Sequence, residues 1–159
     1  MIFFEAIPCA SHAMKCELAA EVLCSSGALR LQVSGTSMLP AVWPGDTLLI
    51  ERVESQEVSA GDIVMFGRDR RLVVHRVIGR IETPAESMIV TRGDAMPEPD
   101  PPIPERDLLG KVSVILRNGK LIAPRRTPRL TERTMAALIR RSDIAARVVM
   151  GIRGLQQTL

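Results

Sequence analysis

Bases that work near neutral pH are scarce in this chain of 159 residues, which has two histidines, His12 and His75, and three lysines, Lys15, Lys111 and Lys120. No lysine lies between residues 16 and 110. Any proton transfer must therefore draw on few groups. His75 stands in Val73-Val74-His75-Arg76-Val77-Ile78, a strongly β-forming run. An isolated strand histidine is ordinarily structural, so it gains chemical meaning only through partners. Ser37 is one candidate. It lies between a Gly-containing turn and Met38-Leu39-Pro40, where its backbone N–H could face a developing oxyanion. Serines in Gly-Pro loops are also common turn formers. The third element is Thr91-Arg92-Gly93-Asp94-Ala95-Met96-Pro97-Glu98-Pro99-Asp100, with two aspartates at a strand exit. Either carboxylate could accept the imidazole N–H and hold the productive tautomer. The bland alternative is a solvated acidic loop.

A mainly β frame must position these groups. Alternation over residues 29–33 and β-forming runs at 47–53, 63–66, 72–81, 88–91, 109–116 and 120–122 predict strands. Turn signals separate them: Trp43-Pro44-Gly45-Asp46, Ala60-Gly61-Asp62, a polar tip at 67–71, and Asn118-Gly119, a hairpin signal. Five prolines between residues 94 and 107 predict a constrained loop. Residues 13–26 have helical spacing, with Leu18, Ala19, Val22 and Leu23 apolar and Gly27 as the stop. After Pro128, Thr131 is a plausible N-cap of a second helix. Met135, Leu138, Ile139, Ala146 and Val149 fall on one face, and arginines lie mostly off it. The expected division is a helical segment at 1–28, a catalytic β domain at 29–124 and a basic helical tail at 125–159.

Composition fits a soluble globular domain, with 46% apolar and 25% charged residues. One Trp, three Phe and no Tyr argue against a stacking platform for single-stranded nucleic acid, and no nucleic-acid partner is expected. Charge is uneven. Residues 1–110 carry 10 basic and 16 acidic side chains, a net of −6, and residues 111–159 carry 11 and 2, a net of +9. The three cysteines, Cys9, Cys16 and Cys24, form no Cys-x-x-Cys pair, so neither structural zinc nor a disulfide framework is expected. That pattern suits a reducing compartment.

The ordered segments Ser34-Gly35-Thr36-Ser37-Met38-Leu39-Pro40, Gly45-Asp46, Gly61-Asp62-Ile63-Val64, Val74-His75-Arg76-Val77-Ile78 and Thr91-Arg92-Gly93-Asp94 resemble the boxes of type I signal peptidases. These belong to a serine endopeptidase clan that also contains self-cleaving repressors. The likeness covers about residues 29–122. In most bacterial members a lysine base precedes the arginine of the third strand box. Archaeal, endoplasmic-reticulum and spore-former-type members have histidine there, as here in His75-Arg76. The resemblance thus implies a coiled β-sheet domain with a Ser37–His75 mechanism and no cofactor or metal. Asp94, favoured by the Gly-Asp box, or Asp100 would orient His75. Ser37 N–H would be one oxyanion donor, and Ser34 and Thr36 are candidates for a second. Cleavage would follow a small residue of a leader or signal peptide, with Met38, Leu39, Ile63 and Met65 as candidate pocket walls or plain core.

Typical members carry an N-terminal membrane-spanning helix. Residues 13–26 hold Lys15, Glu17 and Glu21, and at ~1.5 Å per residue they reach about 21 Å, short of a ~30 Å hydrocarbon core. Glu5, Pro8 and His12 interrupt any secretory leader. No transmembrane span is expected, so the protein would be cytoplasmic or peripherally membrane-associated. The expected partner is a peptide or preprotein substrate. An anionic membrane surface could also be met through residues 131–150, by an apolar stripe flanked by arginines. The competing functions are a self-cleaving regulator and a non-catalytic binding module. Against the regulator, only about 28 residues precede the first strand, too few for a helix-turn-helix domain.

Overall fold

The computed structural model describes residues 12–84, 86–128 and 134–137. Helix α1 (His12–Ser26) comes first. It buries Ala19, Val22 and Leu23 and leaves Leu18 half-buried. Gly27 ends it at φ 73°, and its N–H donates to Leu23 O at 3.0 Å, closing the last turn. No described helix is long and apolar enough to cross a membrane.

Among the described residues eight antiparallel strands follow: β1 (Ala28–Gln32), β2 (Thr47–Glu51), β3 (Ile63–Arg68), β4 (Arg71–Glu82), β5 (Ser87–Arg92), β6 (Ile103–Pro104), β7 (Leu108–Arg117) and β8 (Lys120–Ile122). Their order is β1-β2-β7-β3-β4-β5-β6, with β8 paired to β7. The domain is mainly β, as its short alternating runs and Gly and Pro turns imply. Two hairpins have tight tips. Asp69 and Arg70 adopt φ 49° and 60° between β3 and β4, and Asn118 and Gly119 adopt 51° and 74° between β7 and β8. Both pairs follow the left-handed pattern that matches strand twist. The polar tip expected at 67–71 is therefore narrower, because β3 and β4 remain paired out to Arg68 and Arg71. The Pro-rich loop hides the short β6, which pairs Met88 with Pro104 and Ile89 with Ile103.

Strand side chains alternate between faces, which sorts the interior into two cores. Ile63 and Met65 join Leu48, Ile50, Val112, Ile115 and the buried side of α1. Val64, Phe66, Val77, Ile89 and Ile103 form the second cluster. His75 lies opposite Val64, and Val77 opposite Thr91. The pleat therefore sends His75 and Thr91 to the face of the second core, and sends Arg76 to the other. A register shift between Val77 and Gly79 marks a bulge.

Two Gly-Asp turns are built alike. Gly45 and Gly61 adopt φ 88° and 93°. Asp46 accepts the Trp43 N–H at 2.8 Å, and Asp62 accepts the Ser59 N–H at 3.0 Å. Each carboxylate then takes a distant cation. Arg117 reaches Asp46 at 2.7 Å and also donates to Ala41 O at 2.9 Å, fastening the loop that carries Ser37. Arg126 reaches Asp62 at 2.7 Å, with Lys111 at 3.7 Å.

Residues 134–137 are helical, with Ala136 buried and Met135 exposed. The rest of the expected helix at 131–150 lies outside the described residues, as does Cys9. Cys16 and Cys24 are free thiols.

Candidate active site

Ser37 sits in the loop between β1 and β2. Leu39 N–H donates to Thr36 O at 3.1 Å and Val42 N–H to Met38 O at 3.0 Å, coiling the segment into successive turns. Met38, Leu39 and Pro40 are buried, which anchors the loop on both the main core and a small cluster of Leu39, Ala95 and Trp43. Ser37 stays half-buried. Among the described residues, its backbone N–H has no acceptor.

The hydroxyl of Ser37 lies 2.9 Å from Nε2 of His75. On the other side of the ring, Nδ1 lies 2.6 Å from Oδ2 of Asp100. A serine that donates to Nε2 requires the imidazole proton on Nδ1, donated to the carboxylate. Thr91, fully buried, donates its hydroxyl to the same Oδ2 at 2.7 Å, and Asp100 N–H returns a bond to Thr91 O at 2.8 Å. Arg68 Nη1 stands 4.0 Å from the second carboxylate oxygen. That arginine also donates to Pro101 O and lies 5.3 Å from the Phe66 ring centre. Phe66 meets the imidazole edge-on, with 6.3 Å between centroids. The ring is thus held by packing on one side and hydrogen bonds at both nitrogens, and His75 is only 8% exposed.

The expectation that favoured Asp94 as the carboxylate beside His75 is corrected. Asp94 forms a two-pronged pair with Arg76, Nε to Oδ1 and Nη2 to Oδ2, both at 2.7 Å. Arg76 is 7% exposed and points away from the His75 face, so it needs a carboxylate of its own. It also donates to Gly61 O at 2.8 Å and Arg125 O at 2.6 Å, clamping the segment after β8 against the sheet. Asp62 completes this clamp through Arg126. Burial pushes the Asp62 carboxyl up, but the Ser59 N–H, the Arg126 hydrogen bond and the charges of Lys111 and Arg126 together hold it below its usual range.

The candidate pocket walls are corrected too. Met38, Leu39, Ile63 and Met65 are 0–3% exposed and lie in the cores, because the inward positions of β3 and of the Ser37 loop face packed neighbours. Three contributors escaped sequence reading. Thr91 had a visible signal, since it shares strand parity with the buried Ile89. Arg68 had none, being one of three arginines around a hairpin tip. Gly93 had a signal only as part of its box. A Cβ there would stand 2.7 Å from Ser37 O and 3.1 Å from His75 Nε2, so only glycine lets the loop close over the pair.

Among the described residues, no three His, Cys, Asp or Glu side chains are grouped to hold a metal. No curated protein shows a significant match to the chain. A family model does match, over residues 5–84, a stretch that includes Ser37 and His75 and stops short of Thr91, Asp94 and Asp100. It describes Peptidase S24-like proteins, a family of serine-peptidase and self-cleaving-repressor type. The match covers half of the chain and fits the mainly β sheet that carries the serine and the imidazole, and on that ground the chain belongs to the Peptidase S24-like family.

Proposed function

We propose that this protein is a serine endopeptidase of signal-peptidase type, in which Ser37, His75 and Asp100 form a catalytic triad. The observation that carries the reading is the unbroken chain of hydrogen bonds from Ser37 Oγ through both imidazole nitrogens to Asp100. Ser37 attacks the scissile carbonyl while its proton passes to Nε2 of His75. Asp100 holds the tautomer and stabilises the imidazolium that forms, and Thr91 fixes the carboxylate. The Ser37 N–H faces the oxygen that becomes negative. The imidazolium then returns its proton to the departing amine, leaving an acyl-enzyme. Water attacks that ester with His75 again as base, releasing the acid and restoring the hydroxyl.

By its likeness to signal peptidases, the substrate is a leader or signal peptide with a small residue before the cleaved bond. The test is cleavage of internally quenched peptides with alanine at that position, together with labelling by a fluorophosphonate. Ser37→Ala and His75→Ala should each lower turnover by several orders of magnitude, and Ser37→Ala should abolish labelling. Unchanged cleavage by either variant rejects the assignment. Intact mass on prolonged incubation separates cleavage in trans from self-cleavage.

A further inference from the structure

Met96 is a large apolar side chain, 44% exposed, in the turn that closes over the catalytic pair. Its backbone is fixed from several directions. Met96 N–H donates to Gly93 O at 2.9 Å, and Ala95 N–H donates to Ser37 O at 2.8 Å. Ala95 packs with Leu39 and Trp43 beneath the turn. Pro97 follows and restricts the methionine backbone to extended conformations. The side chain comes near the imidazole. A Cβ built on Gly93 would lie 2.7 Å from Met96 Cγ and 3.1 Å from His75 Nε2, so Met96 Cγ stands within about 5.8 Å of that nitrogen.

We propose that Met96 forms the wall of the subsite for the first residue on the leaving-group side of the scissile bond and selects an apolar side chain there. The inference rests on the endopeptidase reading. Its logic is the path of the proton. His75 Nε2 must hand a proton to the departing amine, so the residue bearing that amine passes along the Nε2 edge of the ring. Met96 brings an apolar side chain near that edge, and Gly93 offers none of its own. A thioether with three rotatable bonds adapts to several apolar shapes, so the subsite favours the apolar class more than one residue.

The experiment uses the full chain and internally quenched peptides with alanine before the cleaved bond and Leu, Ala, Asp or Lys after it. Wild type should cleave the Leu peptide about tenfold faster than the Asp peptide, in kcat/KM. Met96→Leu should keep that ranking, and Met96→Lys should invert it toward Asp. A fluorophosphonate has no residue on the leaving-group side, so its labelling of Ser37 should stay within about twofold in both variants. An unchanged ranking in Met96→Lys with labelling intact overturns the inference alone. Loss of labelling in both variants also overturns it, because Met96 would then be holding the site together. Wild type that neither cleaves nor labels overturns the endopeptidase reading, and this inference with it.

Discussion

Asp94 and Asp100 leave the same strand and serve opposite faces of β4. Asp100 meets His75, and Asp94 meets Arg76, the next residue along. The Asp100 side contains a hydroxyl, an imidazole and a carboxylate shared with Thr91, near enough to solvent for Ser37 to be half-buried. The Asp94 side contains a guanidinium bonded to one carboxylate and to the carbonyls of Gly61 and Arg125. In the proposed reading one side moves a proton, and the other holds main chain in place. Pleat parity alone divides the two tasks between adjacent residues.

The sharpest way to break this comparison is to neutralise each carboxylate in turn. Asp100→Asn should lower kcat/KM by roughly 10³–10⁴-fold, since an amide cannot hold the imidazole tautomer, with little change in unfolding midpoint. Asp94→Asn should do the reverse. It leaves a buried guanidinium short of its charge partner and should cost about 3 kcal/mol of stability, while kcat/KM of the folded fraction changes little. Urea denaturation and kinetics on both variants decide it, and similar behaviour of the two would abolish the contrast. A smaller effect is expected at Thr91. Thr91→Val removes one donor to Asp100 and should lower kcat about tenfold, and Thr91→Ser should recover most of the loss because it keeps the hydroxyl. Failure of the serine variant would mean that the methyl group, not the hydrogen bond, matters.

The smallest effect concerns acid stability on the Asp94 side. Asp62 has a folded pKa below its ordinary value of 3.8, so the unfolded chain takes up the proton first as pH falls. Its contribution is present above that ordinary value and is lost as pH drops through the folded one. Asp62→Asn should therefore flatten the fall in stability below about pH 4, by roughly 1 kcal/mol, without altering the kinetics at neutral pH.

Much of the frame was legible in the sequence because its signals are local. Gly27 ended the helix where a left-handed residue was needed, and Asn118-Gly119 turned the last hairpin where strand twist demanded it. Ser37 and His75 could be paired in advance because few bases were available and the boxes came in order. The choice between Asp94 and Asp100 was not local. It depends on the path of a proline-rich loop that has no periodicity, and on Arg76 claiming one carboxylate from across the sheet. The pocket walls failed for another reason. An apolar residue reads the same whether it lines a cleft or fills a core, and only packing showed Met38, Leu39, Ile63 and Met65 to be interior.

The joint between the two loops that meet at His75 is made of main chain: Ala95 N–H on Ser37 O, and Asp100 N–H on Thr91 O. Such a joint is indifferent to side-chain identity. Exchanging the side chain at strand position 75 should therefore leave the seat of Ser37 where it is, so that a variant altered at His75 reports the loss of the imidazole and not a displaced loop.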